Sequence, residues 1–371
     1  MIRKHQTAGV VLALLIGNAA LADEPAAIEP KWANQDEDTS PEGQVTFHGP
    51  FCAEQQKIFF ANLPAHDFVR IEMDVLVLRS WDGSVPPPPQ TNVREDPPDY
   101  FRVSVPGGPI LLSTTFSNLP ADDDGFNDAG KRQNFPSPVP GDRLMPQTGS
   151  TAKNSMGYHY PMPGPPQLVP MDATYHLTLL LPHKDATLPL RLEGIGLKHM
   201  IDESWGIKDA KLTPLTAEQV KTPDDSAIAE AFAAAIDATR TDQPEAFNTL
   251  VAGLDQTVAW IGLNVTPQPL DAGAVETAIA DLAGDDNRIK EREAAFGTLV
   301  AFGPSVEAFV RDARKATRGE QRFRIERVLS RLGVLPVEVD EQRRVALATR
   351  VLEVIGTPAA IEARKKLVRN P

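Results

Sequence analysis

Ile201-Asp202-Glu203-Ser204-Trp205-Gly206-Ile207-Lys208-Asp209-Ala210 closes a proline-rich region of alternating apolar and polar residues and hands over to an alanine-rich one. It sets two acids, a large aromatic and a glycine at the head of what reads as a final strand, the kind of segment that finishes a β-sandwich. A hydrolase elbow needs Gly two residues before its Ser and a helix after it; here Asp202 precedes Ser204 and a strand follows. Asp202 and Ser204 are read as turn-bonding residues, and no nucleophile is assigned.

Working upstream, Asp67 to Arg79 alternates, with Val69, Ile71, Met73, Val75 and Val77 on one face and Arg70, Glu72 and Asp74 on the other. This predicts a long half-buried strand. Further strands are expected at Val45 to Phe47, Lys57 to Ala61, Tyr100 to Val105, Ile110 to Phe116, Thr174 to Leu181 and Leu188 to Leu192, with a hairpin turn at Gly107-Gly108. Pro86 to Pro89 cannot join a sheet interior, so a loop begins after Ser80-Trp81-Asp82-Gly83. A second, longer loop runs from Ser117 to Pro170.

Downstream of Leu215 the period becomes helical. Thr216 with Glu218 and Gln219 starts a helix, Ala227 to Ala238 favours another, and Glu245 to Ile261 reads as one more. Shorter paired helices follow over Ala274 to Leu282, Asn287 to Phe302, Ser305 to Ala316, Glu320 to Leu332, Glu341 to Ile355 and Pro358 to Val368. Gly past a helix end with Pro or Thr opening the next, as in Gly356-Thr357-Pro358, predicts an α-solenoid or small bundle.

The first residues carry Arg3, Lys4 and His5, an apolar run from Ala8 to Ala20, and Ala20-Leu21-Ala22 before Asp23. These are the parts of a signal peptide, residues 1–22, so the expected product is exported, periplasmic or extracellular, with no transmembrane segment after cleavage. The expected division continues with a linker at 23–43, a β-sandwich at 44–213, a helical connector at 214–272 and a helical domain at 273–371. A formal net charge of -13 argues against nucleic acid as a partner. Cys52 is the only cysteine, so no internal disulfide forms and stability rests on packing.

Two resemblances refine the fold class. Leu63-Pro64-Ala65-His66, Ser80-Trp81-Asp82-Gly83, Leu112 through Asn118, Gln133-Asn134-Phe135-Pro136, Gly157-Tyr158 and Asp202 through Ile207 occur in the order found in a bacterial secreted galactose-binding-like β-sandwich, which residues 44–213 resemble. That resemblance implies a jelly-roll topology in exported, often multidomain proteins, and fixes no ligand. Asp286 through Ala295, Leu299 through Gly303 and Arg343 through Ala360 are similar to a HEAT-like helical module, which implies a scaffold and no chemistry.

For a site, the acids beside the tryptophans are the candidates. Asp82, Asp202 and Glu203 supply oxygens that suit calcium, the only cofactor the sequence brings forward and one that the fold reading does not require. The loop Asp122 to Asp128 lacks EF-hand spacing and is read as a solvated acidic loop. Trp81, Asp82, Tyr158 and Trp205 are the candidate ligand contacts, because glycan recognition uses aromatics with polar partners. The histidines show no zinc-protease spacing, and His66 is expected to bond backbone in a turn. Basic groups such as Arg322-Arg324-Arg327 lie among acids at helical spacing and predict an ion-paired surface.

Together these readings predict an exported, non-catalytic binding or scaffold protein, with another exported protein or a glycan as partner and its oligomeric state open. The alternatives are a calcium-dependent carbohydrate-binding accessory of a glycan-degrading system, a weak hydrolase, or a purely structural envelope protein.

Overall fold

The computed structural model describes residues 25–83, 98–119, 132–161, 168–266, 271–282, 289–302, 306–332 and 340–368. The leader, Pro86 to Pro89 and the acidic loop Asp122 to Asp128 lie outside the described residues.

The strands are β1 (Lys31–Trp32), β2 (Glu37–Thr39), β3 (Thr46–Phe51), β4 (Gln55–Ala61), β5 (Phe68–Arg79), β6 (Tyr100–Ser104), β7 (Ile110–Thr115), β8 (Ala152–Lys153), β9 (His159–Pro161), β10 (Leu168–Pro170), β11 (Asp172–Pro182), β12 (Thr187–Ile195) and β13 (Glu203–Leu215). Apart from the small β9–β10 hairpin they form two antiparallel sheets in a β-sandwich-like region, ordered β1-β4-β12-β6-β7 and β2-β3-β13-β5-β11-β8. The helices follow: α1 (Ala217–Val220), α2 (Asp225–Ile236), α3 (Gln243–Ala252), α4 (Leu254–Asn264), α5 (Ala272–Leu282), α6 (Ile289–Ala301), α7 (Glu307–Ala316), α8 (Gly319–Leu332), α9 (Asp340–Ile355) and α10 (Pro358–Val368). No helix among the described residues is long and apolar enough to cross a membrane.

The alternation of β5 builds the core as its sequence requires: Val69, Ile71, Met73, Val75 and Val77 are all buried in the main cluster. Near the end of the strand the other face also turns apolar. Leu76 and Leu78 form a second, outer cluster with Phe47, Met156 and Tyr158, brought there by the segment that follows β8.

β13 keeps its core face only by a bulge. Trp205 and Ile207 point inward, register slips between Lys208 and Lys211, and Ala210 and Leu212 then point inward too. Asp209, at φ 53°, is the residue that absorbs the extra step. Gly206 is required between the two inward residues, because a Cβ there would stand 2.3 Å from Cδ2 of Phe47.

Two expectations change. Part of the 23–43 linker is sheet: Lys31 and Trp32 pair with β4, Glu37 to Thr39 pair with β3, and Ile28 bridges to Leu212. The expected helix from Glu245 to Ile261 is two, α3 and α4, broken at Gly253 and Leu254, the latter at φ 43°. That break lets α3 lie along β11.

The helices seal the side of the sandwich where β7 and β11 run. β8 covers β11 only at Ala173 and Thr174. Farther along, Asn248 of α3 donates Nδ2 to the Thr178 carbonyl at 2.8 Å and accepts the Leu180 N–H on Oδ1 at 3.1 Å, so one amide side chain substitutes for a neighbouring strand. Arg343 of α9 makes a bidentate pair with the buried Asp142 and donates to the Ile236 carbonyl at 2.7 Å. Sheet and helix residues accordingly share one continuous hydrophobic core.

Candidate metal centre

Glu203 pairs with Arg79 in the sheet, which brings the start of β13 beside the end of β5. Arg79 at φ 66° turns the chain out of the strand, and the Ser80 N–H then donates to the Asp202 carbonyl at 2.9 Å. Trp81 goes into the core, where its Nε1 donates to the Ser204 carbonyl at 2.7 Å. On the neighbouring strand β13, Trp205 donates Nε1 at 2.8 Å to the carbonyl of Cys52, just past the end of β3. The two indoles thus tie three chain segments together.

Asp82 is held against the approach to β6. Its N–H donates to Asp99 Oδ2 at 2.6 Å, while the Asp99 N–H donates to the Gly83 carbonyl at 3.3 Å. Gly83 sits at φ 66°, and a Cβ on it would stand 2.3 Å from the Arg132 carbonyl, so no other residue fits this crossing. Glu203 is fixed from its other side by the Lys198 N–H, 2.8 Å from Oε2.

The result is three carboxylates, Asp82, Asp99 and Glu203, with one oxygen from each lying within 4.8 Å of the others. Asp99 and Glu203 are only 1% and 2% exposed. Burial, then the charges of Glu203 and Asp82, push the Asp99 carboxyl well above the usual carboxylate range, against the opposing pull of the Asp82 N–H and the Lys198 charge. Burial likewise pushes Glu203 up to about 7, with the Asp202 and Asp82 charges adding to it and Lys198 opposing through its N–H and its charge. The Lys198 ammonium offsets only part of the repulsion.

The donor set suits a hard divalent ion. Oxygens bound to one calcium at 2.3–2.6 Å can be no more than about 5 Å apart, a limit that each pair of these three meets. A cation would favour the ionised form of both acids against burial and against each other's charge, whereas a shared proton relieves only the repulsion.

Of the residues expected at a site, Asp82 and Glu203 come together, and Asp99 joins them where the sequence reading had Asp202. The Asp202 carboxylate instead accepts from the Ser80 hydroxyl and is hydrogen bonded by Tyr160. Trp81 and Trp205 are fully buried and Tyr158 is 5% exposed beneath the Arg79 guanidinium. An enclosed ring offers no face to a sugar, so the three aromatics act in packing. Ser204 is likewise buried, its Oγ accepting from Arg79 Nη1 at 3.1 Å. Strand parity was the available signal: Glu203 shares the inward face with Trp205, and Asp202 does not.

Elsewhere, Cys52 is buried as a small apolar residue. The basic helical groups are ion paired, Arg314 and Arg322 with Glu326 and Arg324 with Glu320. No family model matches the chain, and no curated protein matches it either.

Proposed function

We propose that this chain is an exported, non-catalytic binding or scaffold protein whose sandwich is closed at one end by a calcium ion held between Asp82, Asp99 and Glu203. The observation that carries the reading is the convergence of three carboxylates, two of them enclosed, from segments that only the tertiary fold brings together. A cation there would hold the end of β5, the approach to β6 and the start of β13 as one unit, which is a structural role and requires no substrate.

The scaffold half of the reading is supported by the helices. α5 packs on α6, α7 on α8 and α9 on α10, the pairing of successive helices expected of a HEAT-like array, and the antiparallel sheets suit a galactose-binding-like jelly roll. The export half rests on the charge and apolar pattern of residues 1–22.

Thermal unfolding of the mature full chain in chelator and in millimolar calcium tests the proposal. Calcium should raise the midpoint by several degrees, and Glu203→Gln should remove that rise. An unchanged midpoint in the wild type, at concentrations up to tens of millimolar, would rule out a bound structural ion.

A further inference from the structure

A second titratable group lies at the opposite side of the fold's logic, where the sandwich hands over to the helices. His66 is 7% exposed in the turn before β5, and His183 stands in the turn between β11 and β12. His66 Nδ1 is 2.5 Å from the Pro64 carbonyl, and its Nε2 is 2.9 Å from His183 Nδ1. The rings lie 5.2 Å apart, centroid to centroid, and are nearly parallel, with 19° between planes.

The hydrogen count on this pair is constrained. A carbonyl only accepts, so His66 Nδ1 must carry a hydrogen. When both rings are neutral, His66 Nε2 is a lone pair and His183 has one N–H for two acceptors, His66 Nε2 and the Thr187 backbone. With one added proton the two facing nitrogens still share a single hydrogen, and the bond survives. With two added protons both facing nitrogens carry a hydrogen, and the bond is lost with two cations in contact.

The surrounding bonds show what the pair holds closed. The His183 N–H donates to the Asp67 carbonyl at 3.0 Å, and the Leu63 N–H donates to the Ala186 carbonyl at 3.0 Å, joining the two turns. The Asp67 N–H donates to the Leu215 carbonyl at 2.9 Å, and Asp67 Oδ2 accepts the Ala217 N–H at 3.0 Å, where α1 begins. The charged groups facing the pair are Asp67, Lys184, whose Nζ is 3.2 Å from Asp67 Oδ1, and Asp185, whose charge acts on His183. Burial first, and then the His66 charge, makes His183 harder to protonate, with Asp185 and a hydrogen bond to the Thr187 backbone opposing.

We infer that His66 and His183 form an acid-released latch that fixes the β11–β12 turn and the start of α1 to the sandwich, closed with at most one added proton and opened by the second. Mild acid therefore loosens the first helical connection while leaving the sandwich core intact. This device is independent of the cation reading, since none of its groups belongs to the Asp82, Asp99 and Glu203 set.

The test is a proton NMR titration of the imidazoles in the full chain from pH 8 to pH 4.5, with amide exchange of Ala217 followed in parallel and corrected for its intrinsic pH dependence. One imidazole should protonate well below the ordinary histidine value of about 6.5. Over that step, protection of the Ala217 amide should fall about tenfold per pH unit, the slope of a single linked proton. His183→Asn, whose carboxamide can donate to or accept from His66 without titrating, should remove the slope. Two imidazoles titrating independently near the ordinary value in the wild type, or Ala217 protection that ignores acid, overturns the latch without recourse to the variant.

Discussion

Two of the places where the molecule encloses carboxylates treat them in opposite ways. Among the helices, Glu353 is 14% exposed at the side chain and has Arg311 Nη1 at 2.6 Å, with Arg350 Nη1 at 3.5 Å. Burial alone would raise its carboxyl, but Arg311, Arg350 and Arg364, with the Ile110 N–H of β7, hold it below the usual range. At the end of the sandwich, Asp99 and Glu203 are more deeply enclosed, face a third acid, and are both pushed upward. The first set is a structural ion pair, and the second is the set to which the proposed cation would bring opposing charge.

Breaking the compensated set should have the largest effect. Arg311→Met leaves Glu353 enclosed with fewer partners and should lower unfolding stability by about 3 kcal/mol in urea titration, the cost of removing one side of a buried pair. The set of three acids should respond with the opposite sign. In chelator near neutral pH, Asp99→Asn replaces an acid that folding forces to keep its proton and should stabilise the chain by about 1–2 kcal/mol; the same variant should be insensitive to calcium.

The pH dependence separates the two sets as well. Unfolded, Glu203 ionises near its ordinary value of 4.5, while in the folded chain it ionises near about 7. In chelator the folded state therefore keeps a proton that the unfolded state has released, and Glu203 makes stability fall as pH rises across this window, by at most about 1.4 kcal/mol per pH unit. Calcium needs the ionised acids, so it should flatten or reverse that slope. Glu353 works the other way: its folded value is depressed, so the stability it contributes is lost as pH falls below its ordinary value of 4.5. A denaturation series at several pH values, with and without chelator, resolves both.

The smallest effects belong to residues beside the sets. Asn248→Ala strips the amide from the edge of β11 and should cost about 1 kcal/mol, because two backbone groups lose their partners. Lys198→Ala keeps the N–H that fixes Glu203 and removes a competing positive charge, so calcium binding should persist.

The strands were legible where alternation was strong, as in Val69 through Val77, and the paired helices were legible from their Gly and Pro punctuation. β1 and β2 were not, because short edge strands bearing polar residues bury too little to leave a period in the sequence. The bulge in β13 and the break between α3 and α4 each turn on one residue at positive φ, Asp209 and Leu254, neither of which is the glycine that would have announced it. At the site, Asp82 and Glu203 were legible as acids next to tryptophans at strand ends. Asp99 was not, because its neighbour in space is set by how two sheets face each other and not by anything within reach along the chain.

The most direct measurement is isothermal titration of calcium into the full chain at pH 7, repeated in two buffers of different ionisation enthalpy. The account predicts one ion per chain, release of protons on binding because Asp99 and Glu203 are driven to ionise, and loss of the signal in Asp99→Asn. Binding without proton release, or undiminished binding by Asp99→Asn, would contradict it.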